Sequence, residues 1–274
     1  MDPRRRAILA LATIAAAPRM NSAHAVEPTT RAIPASGERL PVIGLGTWQT
    51  FDVGGDAAAP ALAQKKPMKI GVIGSGRIGS TIGGLWVKAG HEVMFSDRDP
   101  EVAKKVAADL GSRAKAGSVE EAVAFGDAIL IAVPYMALPA IQKQVGDRLK
   151  GKVVIDPNNP VPSRDGDMAV GAKEKGAAVS TAALLPGARL VRSFNSWGYA
   201  TLARVANRPA PRMALPVAAD DRGALEIGMQ LVSDAGFDPV NAGSLAASKA
   251  YDLGSSVSGR VMTADELRKA LSLK

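Results

Sequence analysis

The sequence predicts an α/β protein: a Rossmann-like, doubly wound and mostly parallel sheet with a small C-terminal extension. Three observations lead there. From Met68 onward, short apolar runs alternate with stretches of helical pattern, the order of successive strand–helix units in a parallel sheet. The runs, Ala128-Ile129-Leu130-Ile131-Ala132-Val133 above all, are apolar throughout rather than alternating, as strands covered on both faces must be. The first of them ends in Gly74-Ser75-Gly76-Arg77-Ile78-Gly79, a glycine pattern that carries meaning at a strand-to-helix turn.

Composition narrows the class. The 274 residues suffice for one large or two small domains, and 47% hydrophobic with 22% charged residues is ordinary for a globular chain. Aromatics make up only 4%, which argues against stacking platforms for single-stranded nucleic acid. No dense Lys/Arg block follows the N-terminus, so the net charge of +8 reads as a scattered surplus that would also suit a phosphate-rich dinucleotide. No nucleic-acid partner is expected. Cysteine is absent, which excludes disulfides, thiolate catalysis and iron–sulfur clusters. Only His24 and His91 are histidines, and no His-Glu-x-x-His occurs, so no metal site is expected. His91, in a turn leading into a strand, reads as structural.

Residues 1–25 read as a twin-arginine-type signal peptide. Arg4-Arg5-Arg6 precede an apolar run from Ala7 to Ala17, and Ala23-His24-Ala25 offers a small-x-small cleavage site. The apolar run is too short to cross a bilayer. A periplasmic or exported protein is the expectation, with a cytoplasmic one the alternative if the signal is not used. Residues 26–67 read as a remnant and linker. Ile33 to Phe51 resembles the opening of aldo-keto reductases, a hairpin followed by a first barrel strand, whereas Gly54 to Pro67 is rich in Ala and Pro. A barrel of that kind needs about 250 residues, and that family's later active-site segments are not found. Cut off from a barrel, the stretch is expected to be partly disordered. Residues 68–274 read as an NAD(P)-binding Rossmann domain with a C-terminal substrate-covering segment.

Within that domain each element has its signal. Lys69 to Ile73 is a strand of β-branched residues. Gly74 permits the tight turn, Gly76 the approach of a pyrophosphate, and Gly79 the close packing of helix on strand. Ser80 to Lys88 reads as helix, its N-terminal end offering free N–H groups to phosphate. His91 to Phe95 is the second strand, and Asp97 follows Gly76 by 21 residues, close to the ~20-residue interval at which an acidic residue meets the adenosine ribose. Asp99 and Pro100 open a helix to Gly111. Ser118-Val119-Glu120-Glu121 fits a capping box for a helix to Phe125. The strand Ala128–Val133 stops at Pro134-Tyr135, and Ala137 to Leu149 is helical. Lys152–Asp156 is a strand broken by Pro157-Asn158-Asn159-Pro160. Leu190–Asn195 and Met213–Ala218 are further strands, Leu225–Ala235 a helix, and Asp238–Ala242 an edge strand. No segment reads as a membrane span.

Ligands of open α/β sheets bind beyond the carboxyl ends of the strands. Gly74 to Ile78, Ser96-Asp97-Arg98, Val133-Pro134 and Asp156 to Pro160 converge there, with Phe194-Asn195-Ser196-Trp197 a fifth segment. Asn158 and Asn159 can contact a nicotinamide carboxamide or a substrate carbonyl, because amides both donate and accept; turn chemistry before proline explains them equally well. Trp197 reads as core. At the ribose, Asp97 speaks for NAD, whereas a hydroxyl and Arg98 beside it speak for NADP. No Tyr-x-x-x-Lys pair exists and no histidine lies near the site. The lack of a positioned acid or base favours hydride exchange with a second organic cofactor, for which orientation suffices.

Lys69 to Glu101, Asp156 to Pro160, Leu185-Pro186-Gly187-Ala188 and Ser193-Phe194-Asn195-Ser196 together resemble the coenzyme-F(420)-dependent NADP oxidoreductases. The resemblance implies that Ser75, Gly76, Arg77 and Ile78 line the phosphates and that Ser96 and Arg98 face the 2′-phosphate. It further implies that Asn195 and Ser196 lie near the nicotinamide. NADP(H) is then expected ahead of NAD(H), with deazaflavin coenzyme F(420) or a flavin as co-substrate and a homodimer as the assembly. No side chain is expected to act as a catalytic acid or base. The alternative is a nucleotide-binding module without turnover, a redox sensor or a partner-dependent subunit. Two departures stand out: Asp97, where members commonly carry a basic residue, and a short polar C-terminus, Tyr251 to Lys274, without a long apolar helix.

Overall fold

The computed structural model describes residues 67–273 together with two short segments, Thr30–Ala32 and Arg39–Pro41. The chain divides into two units, Met1–Ala63 and Gln64–Lys274. In the first, β1 (Thr30–Ala32) pairs antiparallel with β2 (Arg39–Pro41), Arg31 standing opposite Leu40. The signal at residues 1–25, most of the stretch resembling aldo-keto reductases and nearly all of the linker lie outside the described residues.

The second unit runs β3 (Lys69–Ile73), α1 (Arg77–Lys88), β4 (Glu92–Ser96), α2 (Pro100–Leu110), β5 (Ala114–Ala116), α3 (Val119–Phe125), β6 (Ala128–Ile131), α4 (Leu138–Leu149) and β7 (Val153–Asp156). It continues through α5 (Pro162–Asp165), α6 (Asp167–Lys175), α7 (Ala177–Leu184), β8 (Arg189–Arg192), α8 (Tyr199–Val205), β9 (Ala214–Val217), α9 (Arg222–Asp234), β10 (Asp238–Asn241) and α10 (Ala264–Ala270). Six strands form one parallel sheet in the order β5-β4-β3-β6-β7-β8. The strand order reverses at β3, with β4 on one side and β6 on the other, and the crevice between β3 and β6 is the switch point of a doubly wound fold. β9 and β10 pair in parallel and join the sheet through an antiparallel bridge between Ala218 and Arg192.

Two core clusters correspond to the two faces. Ile70, Val72, Val93, Phe95, Leu130 and Val191 point to one, against Trp86 of α1 and Leu231 of α9. Ile73, Ile129, Ile131, Val154 and Leu190 point to the other, against Val123, Ile141 and Val145 of α3 and α4. Alternation along each strand makes this division. On the first face Trp86 donates its indole N–H to the Leu231 carbonyl at 2.8 Å and meets Phe194 edge-on at 5.9 Å. Phe194 in turn packs edge-on against Phe237 at 6.2 Å. His91 has the structural place expected of it. Its Nδ1 accepts from the Met68 amide at 3.0 Å, which assigns the ring proton to Nε2, 3.2 Å from Asp234 Oδ2.

The caps agree with the sequence. Asp99 accepts from the Glu101 amide with Pro100 opening α2, and Ser118 and Glu121 complete a reciprocal capping box on α3. Several boundaries shift. α1 begins at Arg77 rather than Ser80, because Gly76 already serves as its cap and its carbonyl accepts from Ser80 N at 2.9 Å. β6 ends at Ile131, although the Ala132 amide still donates to Ile73 O. The region 162–184, left without elements in the sequence reading, folds into α5, α6 and α7, parted by glycines at 166 and 176 whose φ values are +62° and +102°. The C-terminal extension carries one short helix, α10, its capping box made by Thr263 and Glu266.

Candidate dinucleotide site

Each glycine of the turn has its own reason. Gly74 adopts φ +93°, a left-handed conformation, and a Cβ there would overlap the Ala132 carbonyl. At Gly79 a Cβ would overlap the Gly74 carbonyl and sit 3.2 Å from Val72 Cγ1, so only glycine lets α1 approach β3. Gly76 has nothing within 4 Å of the Cβ position; its side faces open space, as a backbone that receives a ligand must. α1 starts beside it with no side-chain cap and no acidic residue in the first turn, which leaves its first N–H groups available to an anion. Gly79→Ala is expected to destabilise the fold by about 1–3 kcal/mol through overpacking, despite alanine's better helix propensity; a urea midpoint at or above that of the parent would refute the contact.

A cleft of about 930 Å³ opens beside this turn, lined by Gly74, Gly76, Asp97, Arg98, Val133 and Pro134 among the expected residues. Gly117, Met136 and Gln144 also line it. Such a volume is ample for the adenosine half of a dinucleotide. The other expected residues lie differently. Arg77 is exposed, its guanidinium 5.2 Å from the Tyr199 ring centroid, and Ile78 packs on the core. Ser75 is buried, its hydroxyl donating to Ser96 O at 3.0 Å.

Ser96 corrects the expectation that it faces a 2′-phosphate. It is wholly buried, and its hydroxyl donates to the Val72 carbonyl at 2.8 Å. A residue that ends a central parallel strand can turn its side chain into the sheet, and this one does.

The substrate side is organised by residues that the sequence reading did not single out. Asp156 and Arg192 are register partners at the ends of β7 and β8, so their side chains share one face. Arg192 is fully buried. It donates to Asp156 Oδ2 at 3.2 Å, Asn159 Oδ1 at 3.1 Å, Asp252 Oδ1 at 2.9 Å and the Asn158 carbonyl. Burial pushes the Asp156 carboxyl up and Arg192 pulls it down, with a net upward shift. Tyr251, its phenol pushed up by burial, donates to the Arg192 carbonyl at 3.1 Å. The available signal was a charged residue ending an otherwise apolar strand, in Val153-Val154-Ile155-Asp156 and again in Leu190-Val191-Arg192.

That frame holds the four residues expected near the nicotinamide. Asn158 donates to Ile131 O at 2.8 Å and Asn159 to Asn195 O at 2.6 Å. Asn195 donates to Tyr251 O at 3.1 Å and Ser196 to the same carbonyl at 3.4 Å. Asn158, Asn195 and Ser196 are buried, and the bonds of the asparagines shape the loops at the carboxyl ends of the strands. Asn195 Oδ1 is buried without a hydrogen-bond partner. Phe194 before it sits at φ +61°, a conformation costly for a bulky residue and held here by Trp86 and Phe237.

The parallel sheet, the glycine turn, the switch-point cleft and the uncapped helix define a domain of the Rossmann class. The family described as NADP oxidoreductase, coenzyme F420-dependent, matches residues 69–160. The F420-dependent NADP reductase of Methanothermobacter thermautotrophicus is 31% identical over 177 residues, covering 60% of this chain and 75% of the relative. The chain belongs to this family of NADP-dependent oxidoreductases. The metalloreductase STEAP3 of Rattus norvegicus is 27% identical over 191 residues, 68% of this chain and 36% of that protein. Among solved structures, the hypothetical protein SMa0349 of Sinorhizobium meliloti is similar with TM-score 0.63 and 26% identity, over 73% of this chain and 97% of that one. A putative F420-dependent NADP-reductase of Arthrobacter sp. FB24, at TM-score 0.56 and 19% identity over 67% and 88%, shares the fold.

Proposed function

We propose that this chain passes hydride between a nicotinamide dinucleotide held at the Gly74–Gly79 turn and a deazaflavin or flavin-like acceptor. The observation that carries the reading is the chemistry of the strand ends beyond β7 and β8. The side chains there are amides, a hydroxyl and a buried Arg–Asp network, bonded to one another and to loop carbonyls. Nothing among them is placed to shuttle a substrate proton, as reduction of a simple ketone requires. The Gly74–Gly79 turn would hold the dinucleotide, which when bound would supply hydride to the acceptor, with a proton from solvent completing the acceptor's reduction. The protein's part is to bind, orient and exclude water. The name of the 31% identical relative supports a deazaflavin ahead of a flavin.

Three structural features fit a dinucleotide: the open side of Gly76, the uncapped start of α1, and the adjoining cleft. The test is purified full-length protein mixed with reduced nicotinamide dinucleotide and either deazaflavin or flavin mononucleotide. Loss of the reduced nicotinamide absorbance band, matched by reduction of the acceptor, is expected. Tight dinucleotide binding with no absorbance loss for any acceptor would instead identify a binding module without turnover.

A further inference from the structure

The ribose end of the cleft differs from what an NADP site requires. Asp97 is half-buried at the carboxyl end of β4 and spends both oxygens on backbone amides. Oδ2 accepts from Ser75 N at 2.8 Å, inside the glycine turn, and Oδ1 accepts from Asp99 N at 3.2 Å. Those amides are natural donors to an anion placed between the turn and the strand end. A carboxylate already fills that role.

The other donors are also committed. The hydroxyls of Ser75 and Ser96 point inward onto carbonyls. The start of α2, a second place for an anion, is closed: Pro100 has no N–H and Asp99 takes the Glu101 amide at 3.0 Å. Of the two cations that line the cleft, Lys104 is bonded to Glu101 at 2.8 Å, which leaves Arg98. The carboxylates of Asp97 and Glu120 offset the two cations in that lining, so no positive surplus awaits a dianion.

We propose that Asp97 stands where a 2′-phosphate would otherwise bind, and that the site therefore takes NAD(H) at least as well as NADP(H), in contrast to the relative named for NADP. A free ribose suits the carboxylate, because its 2′- and 3′-hydroxyls donate to lone pairs the two amides leave over. A 2′-phosphate must displace Asp97 from Ser75 N or endure like-charge contact with it. The inference rests on the reading that the cleft takes a dinucleotide, so its test measures binding and needs no acceptor.

Dissociation constants of NADH, NADPH, AMP and 2′-phospho-AMP are to be measured calorimetrically on the full chain and on Asp97→Ser and Asp97→Asn. Asp97→Asn keeps an acceptor for Ser75 N while removing the charge, and so guards against a loop collapse in the serine variant. The parent is expected to bind NADH no more weakly than NADPH, and AMP no more weakly than its 2′-phosphate. Both variants should tighten NADPH relative to NADH on the order of ten- to a hundredfold. Tighter binding of NADPH than NADH by the parent overturns the proposal, as does an unchanged ratio in both variants. Binding of neither dinucleotide overturns it together with the cofactor reading, so the two failures are told apart.

Discussion

Gly76→Val is expected to leave the fold intact and to abolish dinucleotide binding. The position has φ −65° and ψ −166°, extended backbone open to any residue, and nothing lies within 4 Å of a Cβ placed there. A Cβ there meets no protein atom, and the unfolding midpoint should stay within ~0.5 kcal/mol of the parent, as for other surface changes. In the proposed placement, the space valine fills is the one through which a diphosphate would reach the first amides of α1. Each hydrogen bond to a charged group is worth about 1.5–3 kcal/mol, so loss of two weakens binding by about a hundredfold or more. Calorimetric titration beside a urea melt checks both halves. Retained affinity would refute the placement of the diphosphate, and a collapsed midpoint would show that Gly76 serves packing instead. Gly79→Ala makes the contrast, because there the obstacle is protein.

Arg192→Met is expected to cost about 3–5 kcal/mol, the usual toll for removing one partner of a buried ion pair. Methionine matches much of the volume but leaves Asp156 charged inside the protein, with the Asn158 carbonyl, Asn159 and Asp252 released together. The sign of its pH dependence is a further check. The folded-state pKa of Asp156 is raised by burial, and Arg192 is what pulls it down. Without the arginine it rises further, so the folded variant takes up a proton that the unfolded chain releases. The deficit should be largest near neutral pH and shrink on acidification toward the ordinary aspartate range. Denaturant melts at about pH 8 and about pH 5 decide this; a deficit independent of pH would mean that Asp156 does not carry the strain. Arg192→Lys, which keeps the charge but not the fork of donors, should recover only part of the stability.

Much of the fold could be read in advance because it is written locally. The runs around Ile70, Ile129 and Val154 declare buried parallel strands, and Asp99-Pro100 and Ser118 declare helix starts. The spacing of the three glycines assigns each a role; φ +93° at Gly74 fits the tight turn, the crowding at Gly79 fits close packing of helix on strand, and the side of Gly76 is open. The helices of 162–184 carry no legible signal because they are short and divided by glycines, so no periodic stripe extends along them.

The amino-acid sequence by itself determined the fold class, the glycine turn and the set of segments that reach the strand ends, since these follow from hydrophobic period, turn chemistry and spacing along the chain. Only the tertiary structure decided what each polar side chain does there. Ser96 turns inward, Asp97 takes the amide of Ser75, and Arg192 ties Asp156 and Asn159 of one segment to Asp252 of another. The reason is physical: a buried polar group is obliged to bond to whatever the fold brings within about 3 Å, and neighbours distant in the chain leave no trace in local sequence.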